Sequence, residues 1–267
     1  MDVLIVNSGI YACVVLMITT VMFVVMQLRR DNSLIDIAYG PTFFLSAVAA
    51  MVLTGTYRTL PFIITAALGL WALRLALRIG RKNWNKPEDV RYAVWRTEWM
   101  KKGELYFIIR SYLQINILQG LIIVLVSSPF IFALAYQTKI SWLFVTIGGV
   151  IFLLGLGIEA LADWQIDRFL TGKKAGTETA TILTTGLFKY SRRPNYFGET
   201  LIWWGLAVMV LPLPFGSIAL ISPLLITYIV AKVTGPMLEK IFLEKYGNEY
   251  KEYMRKTSYF IPWIPKG

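Results

Sequence analysis

Long apolar segments recur along almost the whole chain, and they constrain its fold more than any other sequence feature. Seven such stretches lie at about residues 3–28, 34–57, 59–77, 105–136, 140–161, 197–210 and 217–231, the fourth being long and the sixth short. Ser127-Ser128-Pro129 interrupts the fourth stretch, which predicts a kink or a short re-entrant turn there. A helix that crosses a bilayer needs about 20 mainly apolar residues. Only 16% of the residues are charged, whereas an average soluble domain has about 25%. We therefore predict an all-α integral membrane protein with seven transmembrane helices in a single domain, residues 1–267.

The lysines and arginines are distributed unevenly between the gaps that separate these stretches. Of 27 in total, 23 lie in four alternate gaps, at residues 29–30, 78–102, 168–193 and 232–266. The other gaps contain only Arg58 and Lys139. Because Lys and Arg are retained in cytoplasmic loops, the N-terminus is predicted outside and the C-terminus in the cytoplasm. We expect a multi-pass protein of the bacterial inner membrane, or of the endoplasmic reticulum if the source is eukaryotic.

The scarcity of histidine and cysteine restricts the kinds of catalytic, metal and disulfide site that the chain can form. The chain has no histidine, which excludes a histidine-ligated metal, a Ser-His-Asp triad and a Cys-His pair. Its single cysteine, Cys13, lies in the first apolar stretch and has no partner for a disulfide. The formal net charge of +11 follows membrane topology, so membrane lipids and not nucleic acid are the expected partners.

Acidic residues are interleaved with the basic ones in three long polar segments, at about residues 78–104, 162–196 and 232–267. Glu159, Asp163 and Asp167 lie at i, i+4 and i+8, which predicts one helical face at the end of the fifth stretch. Acids at this depth are functional candidates, and the alternative is a stripe of salt bridges to arginines of the third helix. Three carboxylates without histidine suit Mg²⁺ or Ca²⁺ only weakly, so no metal site is predicted.

The stretch from Gly186 to Glu199 is the most informative motif. It reads G-L-F-K-Y-S-R-R-P-N-Y-F-G-E. This resembles the signature G-L-[FW]-x-Y-S-R-H-P-N-Y-F-G-E of the DUF1295 branch of the steroid 5α-reductase superfamily, with Arg193 in place of the histidine. Further similar segments are W-A-L-R-L-A at 71–76, E-D-V-R-Y at 88–92 and the C-terminal residues 232–263. The resemblance extends from about residue 30 to the end of the chain.

The resemblance implies a membrane reductase that binds NADPH from the cytoplasm, mainly through its C-terminal half at about residues 150–267. Such an enzyme reduces the activated carbon–carbon double bond of an enone in a lipid-like substrate, as 3-oxo-Δ4-steroid 5α-reductases do. No G-x-G-x-x-G turn is present, so side chains are expected to hold the dinucleotide. The candidate cofactor-binding residues are Arg74, Arg78, Arg81, Arg91, Tyr92, Asp163, Asp167, Tyr190, Arg192, Arg193, Asn195, Tyr196, Glu199 and Trp203.

Arg193 differs chemically from the histidine that the signature usually carries. Arginine stays cationic at physiological pH, so this position cannot act as a proton shuttle. We expect Arg193 to hold a cofactor phosphate or to pair with an acid such as Glu199. The alternative is a topology-setting residue that faces lipid headgroups.

Asp36 and Tyr39 on the second helix are the candidate catalytic residues. Reduction of an enone requires a group that stabilises negative charge on the carbonyl oxygen or donates a proton. The glutamine–glutamate pair of steroid reductases is absent from this helix, and Trp71 stands where they carry a tyrosine. For Asp36 the alternative is a helix N-cap or an ion pair with Arg29 or Arg30.

Two other functions are compatible with the sequence. Integral-membrane methyltransferases of the isoprenylcysteine and phospholipid type share an R-H-P-x-Y-x-G motif and bind S-adenosylmethionine there. A non-catalytic lipid-binding protein is the third interpretation, but it leaves the interleaved acids and amides unexplained. The seven-span count and the Asp163 stripe favour the reductase, which we expect to act as a monomer.

Overall fold

The computed structural model describes residues 2–83, 88–136 and 139–266, and within them it contains helices and no strand. The α-helices of this part are α1 (Asp2–Arg29), α2 (Leu34–Thr54), α3 (Thr59–Asn83), α4 (Val90–Met100), α5 (Glu104–Ser111), α6 (Leu118–Val126), α7 (Ser128–Ala135), α8 (Trp142–Ala175), α9 (Pro194–Val210), α10 (Ile221–Tyr228) and α11 (Gly235–Lys256). π-Helical turns join α5 to α6 (Tyr112–Ile117) and α10 to α11 (Ile229–Thr234), and 3₁₀ turns lie at Gly186–Lys189 and Gly216–Leu220. The predicted all-α class is confirmed.

Six helical segments in the described ranges are long and apolar enough to cross a membrane. They are Val3–Arg29, Leu34–Thr54, Thr59–Arg81, Glu104–Val126, Trp142–Ala175 and Gly216–Lys256. These segments indicate a multi-pass membrane protein. The stretch predicted as a sixth of seven spans forms α9, a helix of only 17 residues.

The first of two compact units contains residues 1–140 and 213–219. In it α1 packs against α2, α6 and α7, and α3 packs against α2 and α7. The predicted break at Ser127-Ser128-Pro129 is confirmed, because α6 ends at Val126 and α7 begins at Ser128. Arg58 donates hydrogen bonds to the Leu134 and Tyr136 carbonyls at the end of α7. Because α7 ends here, no following helical turn supplies N–H donors for these two carbonyls, and the Arg58 guanidinium supplies the hydrogen bonds instead.

The second unit contains residues 141–212 and 220–267, and its main contact is between α8 and α9. Glycines face each other in this contact. A Cβ atom on Gly155 would lie 2.6 Å from the Gly198 carbonyl oxygen, and one on Gly205 would lie 2.6 Å from the Gly148 carbonyl oxygen. Gly148 and Gly155 are seven residues apart on α8, and Gly198 and Gly205 are seven residues apart on α9, which is about two helical turns in each case. The two helices are therefore antiparallel and touch backbone to backbone.

A bend at Gly247 divides α11 into two parts. Gly247 has φ 55° and ψ −125°, a backbone conformation that residues with a Cβ atom rarely adopt. Tyr250 donates a hydrogen bond of 2.7 Å to Glu239, eleven residues earlier. In a straight helix eleven residues rise about 16 Å, which is more than these two side chains can span. The bend therefore brings the Tyr250 hydroxyl within hydrogen-bonding distance of Glu239 in the first part of α11.

Candidate functional site

Two carboxylates of α8 are buried close to the start of α9. Glu159 is 5% exposed and Asp163 is 4% exposed, while Asp167 one turn further is exposed. A Cβ atom on Gly198 would lie 2.7 Å from the Glu159 backbone nitrogen. The absence of a side chain at Gly198 therefore brings α9 directly onto the turn that carries Glu159. The predicted acidic face exists, and its first two members are buried, with the turn of Glu159 directly against α9.

Asn195, Glu199 and Trp203 lie on one face of α9, because they are spaced at i, i+4 and i+8 of a continuous helix. Pro194 occupies the first turn, where its missing N–H costs no helical hydrogen bond. Asn195 and Glu199 are half-buried, and the indole of Trp203 is 1% exposed. The structure therefore places on one helical face an amide, a carboxylate and an indole that were predicted from the family resemblance. Tyr196, next to Asn195, is also half-buried.

Arg192 is held by three groups of the C-terminal part of the chain. Its guanidinium forms a 2.8 Å ion pair with Glu239, and both side chains are buried. It also donates 2.8 Å hydrogen bonds to the Met254 and Thr257 carbonyls. A guanidinium has five N–H donors, and most of those of Arg192 are used here. The predicted cofactor residue Arg192 therefore fixes the signature to α11.

Tyr259 completes the surroundings of Arg192. The Arg192 guanidinium carbon lies 5.5 Å from the centre of the Tyr259 ring, a cation–π distance. The Tyr259 hydroxyl donates a 2.9 Å hydrogen bond to the Ala231 carbonyl. Burial, and to a lesser degree the nearby Glu239 carboxylate, raises the pKa of Tyr259 above its usual value. The hydroxyl therefore stays protonated and able to donate at neutral pH.

Arg193 has a different environment from its neighbour. Its guanidinium lies 4.9 Å from the centre of the Phe242 ring, and its Nη2 atom is 3.6 Å from Glu239. That distance is an ion pair but is too long for a hydrogen bond. Among the described residues, neither Nε nor Nη2 of Arg193 has a hydrogen-bond partner, although the residue is only 8% exposed. Arg193 is therefore a buried cation whose Nε and Nη2 N–H groups are available to a ligand.

The catalytic candidates of α2 lie in the first unit. Asp36 is the third residue of α2 and Ser33 is the N-cap position, so the N-cap alternative for Asp36 is wrong. The Tyr92 hydroxyl donates a 2.8 Å hydrogen bond to the Asp36 carboxylate. Tyr39 packs edge-on against Phe43 and Trp71, with ring centres 5.1 Å and 6.0 Å apart. The structure thus brings Asp36 and Tyr92 together and sets Tyr39 in an aromatic cluster.

The remaining predicted residues differ in exposure. Arg74 and Arg78 are half-buried on α3, and Arg81 is exposed at its end. The side chain of Arg91 lies outside the described part of the chain. Tyr190 is 43% exposed, and its carbonyl accepts a hydrogen bond from the Trp263 backbone.

An open cleft follows the buried acids along α8. Its volume is about 880 Å³, and its walls are the last turns of α8 and the loop that leads to Gly186. Asp167 lines it, with Arg168 and Trp164 beside it; the Arg168 guanidinium carbon is 5.3 Å from the Trp164 ring centre. A cleft of this size is within the range of small-molecule sites.

A comparison with known protein families identifies the chain. Residues 22–257 match the family described as "Protein of unknown function (DUF1295)". The chain belongs to the DUF1295 family. No curated protein and no solved structure matches this DUF1295 chain. The matched residues include Asp36, the α8 acids, the signature and Glu239, and they end before the C-terminal residues 258–266.

Glu239 is the residue of this DUF1295 chain that the sequence did not single out as functional. It accepts hydrogen bonds from Arg192 and Tyr250 and lies within ion-pair distance of Arg193. One sequence signal points to it, since Glu239 stands in the run G-P-M-L-E, within the C-terminal segment that resembles the family ending. Its partner Arg192 is 47 residues away, so the pairing itself depends on the fold.

Proposed function

We propose that this DUF1295 protein is an NADPH-dependent membrane reductase of an activated carbon–carbon double bond in a lipid-like substrate, with 3-oxo-Δ4-steroids as the representative class. The observation that carries the proposal is the α8–α9 contact, where buried Glu159 and Asp163 lie close to the helix that carries Asn195, Glu199 and Trp203. This set of groups suits a dinucleotide better than it suits a phospholipid headgroup.

The donor set of the second unit fits NADPH chemically. Carboxylates and an amide can accept from ribose hydroxyls and pair with a carboxamide, and a guanidinium suits a phosphate. The unused donors of Arg193 and the N-terminus of α9 favour an anion at the start of this helix. The flat indole of Trp203 offers a stacking surface for an aromatic ring. When bound, NADPH supplies the hydride.

Asp36, a predicted catalytic residue of the first unit, is proposed to act on the substrate oxygen. Tyr92, which the sequence predicted as a cofactor residue, is proposed to position the Asp36 carboxyl group. The hydrogen bond between them fixes the direction of the Asp36 carboxyl group. A carboxyl group held in this way can donate a proton or a hydrogen bond to an oxygen that becomes negative during reduction. Tyr39 is held by aromatic packing and is the second candidate for this role.

The proposal includes α9 as a seventh span, with the N-terminus outside and the C-terminus in the cytoplasm. Its 17 residues correspond to about 26 Å of helix, at the lower limit for a transmembrane helix. Contacts from Gly148–Gly205 to Gly155–Gly198 keep it beside the apolar part of α8 over two turns. The 23 basic residues in alternate gaps support the orientation.

Cofactor binding by the purified protein tests the function. Mass spectrometry of the detergent-extracted protein is expected to detect NADPH or NADP⁺. Calorimetric titration with NADPH, NADH and S-adenosylmethionine is expected to give the tightest binding for NADPH, because only NADPH adds a 2′-phosphate for the basic residues. Binding of S-adenosylmethionine alone would establish the methyltransferase interpretation and overturn the reductase.

Arg193 is expected to contribute to NADPH affinity through charge. Replacement by alanine should lower the affinity by at least about tenfold, since a charge-assisted hydrogen bond to phosphate contributes about 1.5–3 kcal/mol. Arg193→Lys should keep part of the affinity, because it retains the cation but not the planar fork. The loss in Arg193→Ala should grow as salt is lowered, where phosphate attraction is strongest. Titration across a salt series measures these differences.

The control for this prediction is the melting temperature of each Arg193 variant. Glu239 keeps Arg192 and Tyr250 as partners when Arg193 is replaced, so the variants should remain folded. Equal NADPH affinity in wild type, Arg193→Lys and Arg193→Ala at every salt concentration would show that Arg193 lies outside the cofactor site.

A further inference from the structure

The last described residues, 257–266, form a non-helical segment that is fixed to the signature and folds back on the end of α11, where the Lys266 backbone N–H donates a 2.8 Å hydrogen bond to the Lys256 carbonyl; we name it the C-terminal strap. The Arg192 backbone N–H donates a 2.9 Å hydrogen bond to the Ser258 carbonyl, and the Trp263 N–H donates one of 2.9 Å to the Tyr190 carbonyl. The Ser191 hydroxyl donates a 2.7 Å hydrogen bond to the Phe260 carbonyl. These bonds give the strap a defined position beside residues 190–192.

The strap turns its large apolar side chains outward. Ile261 is 60% exposed, Trp263 is 70% exposed and Ile264 is 77% exposed. Exposed apolar residues within the spans are accounted for by lipid chains, but these three follow the end of the last helix. The half-exposed ring of Tyr190 adjoins them in a shallow depression lined by Pro262, Trp263 and Ile264. The result is a fixed surface of aromatic and aliphatic groups.

Basic residues surround this apolar surface. Lys189, Arg255, Lys256 and Lys266 are exposed, and residues 253–266 contain no acid. The Glu252 carboxylate pairs with Lys256 at 2.8 Å and offsets one of these charges. Apolar groups with an aromatic ring, bordered by Lys and Arg, are the pattern of a segment that lies in the headgroup region of an anionic membrane.

The attachment point sets the depth of the strap. Residues 190–192 are separated only by Arg193 from Pro194, where α9 begins. If α9 crosses the membrane, its first turn lies at the headgroup level, and the strap lies at the same level. This step rests on the proposed span of α9 and is independent of reductase activity.

We propose that the C-terminal strap docks on the anionic lipid headgroups of the membrane that the protein spans. Trp263 and Ile264 enter the boundary between headgroups and chains, while Lys189, Lys256 and Lys266 bind lipid phosphates. The strap thereby holds the signature, through its backbone bonds to residues 190–192, at the surface of the bilayer.

A fluorescent label on the strap tests the proposal. Ile264→Cys in a Cys13→Ser background is labelled with an environment-sensitive fluorophore, since Cys13 is the single cysteine. The protein is reconstituted in vesicles of phosphatidylcholine alone, or with about 30% phosphatidylglycerol, each containing a spin-labelled lipid quencher. Quenching is expected to be at least about twofold greater with phosphatidylglycerol, and to fall when Lys189, Lys256 and Lys266 are replaced by glutamine.

The matched control is a label at Thr179→Cys. Thr179 is exposed in the same unit and follows α8, which extends about 18 Å beyond Asp163 before it ends. This label should show little quenching in either vesicle. Two results would contradict lipid docking directly: no quenching of the label at position 264, or equal quenching in both lipid compositions. A third result would also overturn the proposal. If the label becomes more protected from the lipid quencher as protein density rises at constant lipid composition, a second copy of the chain covers this surface.

Discussion

Replacement of Glu239 by alanine is expected to lower the free energy of unfolding by about 3–5 kcal/mol, because it leaves a buried arginine without its carboxylate. Arg192 and Glu239 are both under 10% exposed and form a 2.8 Å ion pair. The substitution also removes the acceptor of the Tyr250 hydroxyl and the ion-pair partner of Arg193. Thermal and denaturant unfolding of the detergent-solubilised protein measure the effect.

Glu252→Ala is the matched control on the same helix. Glu252 pairs with Lys256 at the same distance of 2.8 Å, but both side chains are about half-exposed or more. An exposed ion pair contributes little to stability, so this variant should melt like the wild type. A double variant, Arg192→Met with Glu239→Leu, should recover only part of the lost stability, because it removes the Arg192 charge together with its partner but leaves buried Arg193 without a carboxylate. Equal melting of Glu239→Ala and Glu252→Ala would contradict the buried ion pair.

Gly155→Ala is expected to give the second large effect. The added Cβ would lie 2.6 Å from the Gly198 carbonyl oxygen and 2.8 Å from the Ile202 nitrogen, both backbone atoms that cannot rotate away. Overpacking of this kind costs about 1–3 kcal/mol and exceeds the gain of about 1 kcal/mol that alanine brings to a helix. A lower melting temperature in detergent is the expected result.

Gly157→Ala is the control for this prediction, two residues further along α8. No atom lies within 4 Å of a Cβ at Gly157, so the helix-propensity gain should remain and the melting temperature should stay equal or rise. If Gly155→Ala and Gly157→Ala have the same stability, α8 and α9 do not touch at these glycines. Gly155→Ala should also weaken NADPH binding, because the same contact holds Glu159 beside Gly198.

The roles of Arg192 and Arg193 illustrate how far the signature alone predicts a site. Both residues stand in the motif and are equally plausible phosphate ligands by residue type. In the fold, Arg192 is bound to Glu239 and to two carbonyls, whereas Arg193 keeps unused donors. The difference arises from α11, whose approach to the signature no local pattern encodes.

The sequence by itself determined the all-α class, the positions of the long apolar helices, the break at Ser127 and the common face of Glu159 and Asp163. These features depend on composition and on spacing along one helix, which are local properties. Only the tertiary structure decided that Asp36 binds Tyr92, that Glu239 binds Arg192, and that Gly155 touches Gly198. These partners are 40 or more residues apart. The hydropathy of a helix does not depend on which other helix it packs against, so hydropathy does not predict these pairs. An interfacial glycine and an exposed one have the same sequence pattern, so only helix packing distinguishes Gly155 from Gly157.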